Sequence, residues 1–362
     1  MRLLLTLVFF TTLSSVRAAE GKRFLYVGEP GIGNNLAFGG HGVLVFDMDN
    51  EHRFVRRIKA GGLGKEGKPL NVKGICASAV TQRLYVSTTE TMTCFDLGTD
   101  AILWEKHYEG GCDRMSITPD GAKLFTPSLE KNFWHVIDGG TGEDLTRIPS
   151  EKLAHNTVVG LGGKEVFLAD RGSKLVEVVD AGTNQIVRKI GPFSGFVRPF
   201  TVNGRSTLLY ANVDALLGFE IADIKTGAVL QHLVVPGFKS EHPRSHGCPS
   251  HGIGLSPDEK EVWVCDVNNK RLHVFDNTIM PPVYKESIEL RDGPGWVTFS
   301  LDGKFAYPST GDVVDVVAHK VIAGLKDETG AAVESEKVVE VQFSANGKAS
   351  AVGDQFGLGR VR

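Results

Sequence analysis

Short apolar segments alternate with polar turns along the chain, and one arrangement of them repeats. The clearest copy begins at His251, where an apolar strand is followed by a turn at residues 257–260 and a second apolar strand at residues 261–265. A loop and two more strands, residues 271–276 and 285–290, complete the unit. Apolar runs of this length between turn residues are typical of β-strands.

Seven copies of this unit can be aligned, and their first strands open 40, 42, 43, 53, 44 and 44 residues apart. The opening positions are Lys73, Asp113, His155, Arg198, His251, Gly295 and Val339. Four strands in roughly 43 residues is the period of one β-propeller blade. The repeat therefore predicts an all-β, seven-bladed β-propeller with four antiparallel strands in each blade.

Turn residues recur at matching places within the units. The turn after the first strand reads Thr-Pro-Asp-Gly at residues 118–121, Ser-Leu-Asp-Gly at 300–303 and Ser-Ala-Asn-Gly at 344–347. Proline presets the backbone for the second turn position, and Asp-Gly or Asn-Gly tolerates the reversal. Third strands often end in Asp, as at Asp96, Asp138 and Asp180. These signals favour hairpins between consecutive strands.

The sequence does not settle how the ring closes, because it contains seven first strands but eight candidate second strands. Residues 24–27 and residues 349–352 both fit the second-strand pattern. In the simplest ring, residues 338–343 form the innermost strand of a shared blade, and the N-terminal segment up to Ile58 supplies its outer strands. An eight-bladed ring is the alternative.

The N-terminal residues 1–18 have the form of a secretory signal peptide. Arg2 precedes a largely apolar run at residues 3–10, and Val16-Arg17-Ala18 supplies a cleavage site. The apolar run is shorter than the ~20 residues that a membrane-spanning helix needs. We therefore expect cleavage after Ala18, one propeller domain over residues 19–362, no transmembrane segment after cleavage, and a periplasmic or secreted location.

Composition narrows the classes of partner. Charged residues make up 23% of the chain and the net charge is −3, so the sequence offers no basic stripe for nucleic acid. The 43 glycines suit a fold with many tight turns. The five cysteines are an odd number, and Cys248 and Cys265 are candidates for a disulfide.

The second strands of the units resemble the hallmark strand of the YVTN-type β-propellers. They read Leu-Tyr-Val-Ser-Thr at residues 84–88, Phe-Leu-Tyr-Val-Gly at 24–28 and Glu-Val-Trp-Val-Cys at 261–265. The resemblance covers nearly the whole mature chain and implies a propeller fold. It does not imply one activity, because members of such families range from enzymes to binding modules.

In a propeller, residues at the start of each first strand gather at one mouth of the central channel, although they are far apart in sequence. The predicted ligand-binding residues there are Lys73, Asp113, Asn156, Trp296 and Glu340. The predicted catalytic residues are His155, His251, Arg198 and Arg114. A histidine can serve as a general base, and arginines can bind a carboxylate or phosphate. Each arginine can equally well form an ion pair with a nearby aspartate.

The same mouth could hold a divalent metal ion as a cofactor. Imidazole and carboxylate ligands would come from His155, His246, His251, Asp170 and Asp266. The competing interpretation is that these residues only line a wet rim, where histidines bond to backbone groups.

Two hypotheses for function follow. The first is an exported propeller that binds a small molecule or a protein partner at the channel mouth. The alternative is a propeller enzyme of the lactonase, lyase or oxidoreductase type, which is an analogy from the fold. The sequence contains no G-x-S-x-G, P-loop or H-E-x-x-H motif to decide between them.

Overall fold

The structure is a computed structural model that describes residues 21–239 and 247–362. The predicted signal peptide and His246 lie outside the described residues. The described residues form strands and two short 3-10 helices, Leu36–Phe38 and Lys65–Gly67. No helix in these two ranges is long and apolar enough to cross a membrane.

Seven antiparallel sheets arranged as blades account for the strands. Six sheets have four strands and one has five, so the predicted seven-bladed, all-β propeller is confirmed and the eight-bladed alternative is wrong. We number the strands β1 to β29 in chain order, and the blades 1 to 7 starting from the first blade that is made of one continuous segment.

In blades 1 to 3 the strands follow one another from the channel outwards in chain order. Blade 1 contains β4 (Val72–Ser78), β5 (Arg83–Thr88), β6 (Thr91–Asp96) and β7 (Ile102–His107). Blade 2 contains β8 (Ser116–Ile117), β9 (Lys123–Pro127), β10 (Phe133–Asp138) and β11 (Asp144–Pro149). Blade 3 contains β12 (Leu153–Val159), β13 (Glu165–Arg171), β14 (Val176–Asp180) and β15 (Gln185–Ile190).

Blades 4 to 6 follow the same order. Blade 4 contains β16 (Val197–Val202), β17 (Leu208–Val213), β18 (Gly218–Asp223) and β19 (Val229–Val234). Blade 5 contains β20 (Ile253–Leu255), β21 (Glu261–Asp266), β22 (Arg271–Asp276) and β23 (Val283–Glu289). Blade 6 contains β24 (Val297–Phe299), β25 (Phe305–Pro308), β26 (Asp312–Asp315) and β27 (Lys320–Gly324).

Blade 7 closes the ring by combining both ends of the chain. Its strands are β1 (Lys22–Glu29), β2 (Gly42–Asp47), β3 (Arg53–Ile58), β28 (Val338–Phe343) and β29 (Ala349–Val352). As expected, β28 pairs with the N-terminal strand β1, with Tyr26 opposite Val339.

The position of β29 corrects two details of the predicted closure. Residues 349–352 match the second-strand pattern, yet they pair with β28 on the edge opposite to β1. Because β1 already occupies the outer edge of β28, only the inner edge is open to the next strand of the chain. The innermost strand of blade 7 is therefore β29, where the sequence predicted residues 338–343.

Turn chemistry follows the repeat, as the sequence indicates. The amide of Gly121 donates to the carbonyl of Thr118 at 2.8 Å, and the amide of Gly303 donates to the carbonyl of Ser300 at 2.9 Å. Gly303 has a φ of 69°, in the left-handed region that glycine adopts without strain. In blade 5 the same place is taken by Glu259 at φ 60°, which shows that the turn geometry persists without glycine.

The hydrophobic core lies between neighbouring blades. Phe167 of blade 3 and Phe200 of blade 4 belong to one buried cluster, and Leu25 of blade 7 packs in another with Tyr307 of blade 6. The outermost strands are less buried. In β7, for example, most residues reach solvent and Ile102 is exposed. Each blade thus buries both faces of its inner strands, which explains their nearly continuous apolar sequences.

All five cysteines are buried free thiols. The disulfide that the sequence offered between Cys248 and Cys265 is therefore not formed in this structure. Burial raises the pKa of the Cys248 thiol to about 12, so this group is not a reactive thiolate at neutral pH.

The C-terminal segment, residues 353–362, crosses the channel and closes it. The side-chain amide of Gln355 donates to the carbonyl of Met115 at 3.0 Å, on blade 2. On the other side, the amide of Leu255 donates to the carbonyl of Gly357 at 2.8 Å. We call the end where the first strands begin the mouth and the other end the base. We call the part of the channel between this segment and the mouth the cup.

Candidate functional site at the channel mouth

Residues from five blades meet at the mouth of the channel through direct side-chain contacts. They come from positions in or just before the first strands of blades 1, 2, 3, 6 and 7. We call this group the mouth cluster, whose members are Lys73, Asp113, Arg114, His155, Trp296, Glu336 and Lys337.

Asp113 is a buried carboxylate held between the side chains of Lys73 and His155. Its Oδ2 lies 2.6 Å from Nδ1 of His155, and its Oδ1 lies 3.3 Å from Nζ of Lys73. Burial by itself would raise the pKa of Asp113, but the charge of Lys73 and the hydrogen bond from His155 outweigh it and hold this pKa below its ordinary value. Asp113 is therefore ionised at neutral pH.

The ionised Asp113 orients the ring of His155. A carboxylate can only accept, so Nδ1 of His155 carries the hydrogen and Nε2 is left as the acceptor nitrogen. In residues 21–239 and 247–362 no hydrogen bond engages this Nε2, and the side chain is 21% exposed. A β-bulge in β12 between Ala154 and Asn156 takes His155 out of the strand ladder and turns it toward Asp113.

Arg114 is fixed on the floor of the cup. Its guanidinium carbon lies 3.5 Å from the centre of the Trp296 ring, and its Nη2 donates to Oε2 of Glu336 at 2.9 Å. The indole N–H of Trp296 in turn donates to the carbonyl of Gln355. The Nε of Arg114 is buried and has no hydrogen-bond partner within the described chain. The guanidinium is thus held in one orientation with a donor left over.

Lys337 is a buried amine beside Arg114. Its Nζ donates to the carbonyl of Gly31 at 2.8 Å and to Oε2 of Glu336 at 3.0 Å. Burial lowers the pKa of Lys337 to about 8, with Arg114 and Lys73 adding to the effect and Glu336 opposing it. Near neutral pH the amine is still mostly protonated.

Sequence reasoning missed Glu336 and Lys337. Alignment on the turn at residues 344–347 placed the opening position of this unit at Val339, three residues after Glu336. The sequence did contain a signal for these two residues, because they form a charged pair directly before the apolar run that starts at Val338.

Asn156 lies beside Arg114, and its side-chain amide makes no hydrogen bond within the described chain. The two residues form a parallel β-bridge between blades 2 and 3. Both amide atoms of Asn156 are buried without a partner among the described residues. An unpaired buried polar group costs about 1–3 kcal/mol, so such a residue in a native fold calls for an explanation.

The other two predicted catalytic residues are Arg198 and His251. Arg198 forms an ion pair with Asp214 through its Nε, which is the simpler alternative that the sequence left open. Nδ1 of His251 donates to the carbonyl of Gly295 at 2.9 Å, and its ring centre lies 6.0 Å from that of Trp296. His251 therefore packs beside the floor of the cup.

The predicted metal ligands do not form a metal site within the described ranges. There, no group of three or more His, Cys, Asp and Glu side chains is arranged to hold a metal ion. Oδ2 of Asp266 lies 3.0 Å from Nε2 of His273 in its own blade, and Oδ2 of Asp170 accepts from the amide of Lys152 at 3.1 Å. Burial raises the pKa of Asp170 to about 6. Metal binding that includes His246 stays a prediction.

Glu340 is not brought to the mouth. Its Oε2 accepts from the amide of Leu301 at 2.6 Å, and Leu301 follows β24 at the base of the channel. Its Oε1 accepts from the side-chain amide of Gln342 at 2.8 Å. Glu340 lies three residues after Lys337 on a strand that runs from mouth to base, so its ligand-binding role stays a prediction that its position does not support.

Comparisons with known proteins support the fold and leave the family open. No family model matches the chain, and no curated protein matches it, so membership of the YVTN-type family stays a prediction. Similar solved structures include the dihydro-heme d1 dehydrogenase NirN in complex with DHE. The two chains are 11% identical, and the match covers 95% of this chain and 75% of the NirN chain with a TM-score of 0.62.

Two further solved structures are similar. A chain of the mitotic checkpoint complex is 14% identical over 85% of this chain and 95% of its own, with a TM-score of 0.61. A chain of the Kuenenia stuttgartiensis hydrazine synthase is 16% identical over 69% of this chain and 94% of its own, with a TM-score of 0.46, too low to support an argument. Identities this low indicate a shared fold and nothing more.

We expect Asp113→Asn to lower the free energy of unfolding at pH 7 by about 3 kcal/mol, because it removes one partner of a buried charge group. Since the pKa of Asp113 is lowered in the folded state, its stabilisation is present above the unfolded pKa of about 3.9 and is lost as pH falls through the folded value. The difference between wild type and variant should therefore shrink at pH 3.

Urea denaturation at pH 7 and pH 3 measures this effect. The matched control is Glu66→Gln, because the Glu66 carboxylate pairs with Lys68 at 3.6 Å and both side chains are 79% exposed. The control should change stability by less than about 0.5 kcal/mol. An equal loss for Asp113→Asn at both pH values would show that its charge is not stabilised by Lys73 and His155.

Proposed function

We propose that this protein binds a small molecule with an anionic group in the cup at the channel mouth. The support is electrostatic. The mouth cluster contains the three cations Lys73, Arg114 and Lys337 against the two anions Asp113 and Glu336, which leaves one positive charge. Burial raises the pKa of the nearby Glu29 carboxyl well above its ordinary value, which favours its neutral form.

The observation that carries this proposal is the state of Arg114. Its guanidinium is buried, lies over the Trp296 ring and is anchored by Glu336, yet its Nε–H has no acceptor within the described chain. A guanidinium that is held in place with a spare donor is a pre-arranged partner for an oxyanion. A lysine would supply charge at this place but not the fixed direction.

A small molecule fits these observations better than a protein partner. The residues whose side chains have unmet hydrogen bonds, Arg114 and Asn156, are only 5% and 3% exposed. A folded partner that docks on the rim cannot reach them. Binding of a protein partner is therefore ranked second to binding of a small molecule.

An enzyme is the second candidate, and one specific observation favours it. Asp113 holds His155 in the tautomer whose Nε2 can accept a proton, which is the arrangement of an oriented general base. Such a base could activate water for attack on a lactone, or remove a proton in a lyase reaction. The similar dehydrogenase NirN adds nothing here, because 11% identity supports the fold alone.

We further propose that the protein acts after export. The proposal rests on the pattern of residues 1–18, with its positive start, short apolar run and Ala18 at the cleavage position.

For the binding proposal, we expect Arg114→Lys to raise the Kd for acetate or inorganic phosphate by about tenfold, because lysine lacks the fixed guanidinium fork. Isothermal titration at low ionic strength measures the Kd. Arg53→Lys is the matched control, since the Arg53 side chain is 66% exposed and, within residues 21–239 and 247–362, forms an ion pair with Glu51 alone. Failure of the wild-type protein to bind either anion would refute the proposal.

For the enzyme candidate, we expect the wild-type protein to open small lactones and His155→Ala to lower kcat/KM by a factor of about 10²–10⁴. Proton release into a weakly buffered indicator solution reports the reaction. His107→Ala is the control, because His107 is exposed at the end of the outer strand β7. A rate that survives in His155→Ala would remove this residue from the chemistry.

For export, we expect the protein produced with its complete N-terminus in a Gram-negative host to be recovered from the periplasm with Ala19 as its first residue. N-terminal sequencing provides the measurement. Ala18→Arg should block cleavage, because a small residue is required just before the cut. Recovery of wild-type protein that still begins at Met1 would contradict the export proposal.

A further inference from the structure

The chemistry of the ligand can be narrowed further, on the assumption that the proposed function is correct. Three buried polar atoms with no hydrogen-bond partner in the described chain belong to two residues that lie side by side across the boundary of blades 2 and 3. They are Nε of Arg114 and the two amide atoms, Nδ2 and Oδ1, of Asn156.

We propose that the cup recognises a small 2-hydroxycarboxylate, that is, a carboxylate with a hydroxyl group on the neighbouring carbon. The unmet donors are the N–H of Arg114 and the amide N–H groups of Asn156, and they require an acceptor such as a carboxylate. The unmet acceptor, the amide oxygen of Asn156, requires a donor such as a hydroxyl. One small ligand supplies both when its carboxylate and hydroxyl are on adjacent carbons.

Either orientation of the Asn156 amide requires the same kind of ligand. The oxygen and nitrogen of an amide are easily exchanged in assignment, but both atoms of Asn156 lack a partner, so either orientation leaves one donor and one acceptor unmet. A ligand with only acceptors would satisfy half of Asn156 and leave the other half buried and unpaired.

Charge decides between a hydroxyl and an ammonium group as the donor. Lys73, Arg114 and Lys337 leave the mouth cluster with one net positive charge. An ammonium group placed among these cations would be repelled, whereas a neutral hydroxyl would not be. The site therefore favours a hydroxy acid over the corresponding amino acid.

Burial limits the size of the ligand. Lys73 and His155 are the members of the mouth cluster that reach solvent, with side chains 19% and 21% exposed. The unpaired atoms of Arg114 and Asn156 are out of contact with water. A ligand that reaches these atoms must pass between ordered side chains, so we infer a molecule of a few carbon atoms.

The test compares three probes of nearly equal size: lactate, propionate and alanine. Isothermal titration with the wild-type mature chain at low ionic strength should give a Kd for lactate at least about tenfold lower than that for propionate, with alanine the weakest. Asn156→Ala should bring the lactate and propionate values together, because it removes the partner of the hydroxyl group.

Two further variants keep the test decisive. Asn203→Ala, at the base of the neighbouring first strand, removes a side chain of the same type and should preserve the preference for lactate. If Asn156→Ala does not fold, Asn156→Asp retains the shape and should abolish lactate binding by charge repulsion.

The outcomes separate this inference from the proposed function. Equal binding of lactate and propionate by the wild-type chain would overturn the inference while leaving anion binding in place. A lactate preference that persists in Asn156→Ala would overturn it as well. Absence of binding for lactate, propionate and inorganic phosphate would overturn both.

Discussion

The pairing of β1 with β28 is the constraint on which the rest of the molecule depends. It joins six residue pairs, from Lys22 opposite Phe343 to Val27 opposite Val338, and so links the two ends of the described chain. Without it, β1 and β28 would each expose an unpaired edge, and the flanking blades would expose an apolar face. The ring buries these surfaces only when both ends of the chain are in place.

The pairing of β1 with β28 also positions the site. Glu336 and Lys337 lie directly before β28, so the register of the closing blade decides where their charges sit relative to Arg114. The C-terminal segment that follows β29 then fills the channel and supplies the carbonyl of Gln355 that holds Trp296. Closure, the floor of the cup and the charges at its mouth are thus consequences of one strand pairing.

Buried charges at the mouth are poorly explained by stability alone. Removing charges from water is expensive, and a buried ion pair often contributes no more than well-packed apolar residues of the same size. The arrangement has a more direct consequence for chemistry. Asp113 sets the tautomer of His155, and Glu336 with Trp296 sets the plane of Arg114. Both are ways to hold a functional group in one orientation before a ligand arrives.

Much of the fold could be read from the sequence because its signals are local. A hairpin is specified by its own turn residues, as at residues 118–121 and 300–303, and the apolar strands between turns repeat with the period of a blade. The place of residues 349–352 could not be read in the same way. Their pattern fits a second strand, but an edge already occupied by β1 moved them to the inner side of β28.

The candidate site was only partly accessible from the sequence. Alignment of the repeats selected Lys73, Asp113, Arg114 and His155 together, because parallel first strands begin at the same end of a ring. It placed Glu340 at the mouth and missed Glu336, since a shift of a few residues along one strand moves a side chain from the mouth toward the base.

The sequence by itself determined that this chain forms seven similar β-sheets and which of their ends carry charged residues, because turns and strands depend on neighbours in the chain. Only the tertiary structure decided which charges meet. The partners of Asp113 and Arg114 come from blades 1, 3, 6 and 7, and their distances are set by the curvature of a closed ring, which no single repeat contains.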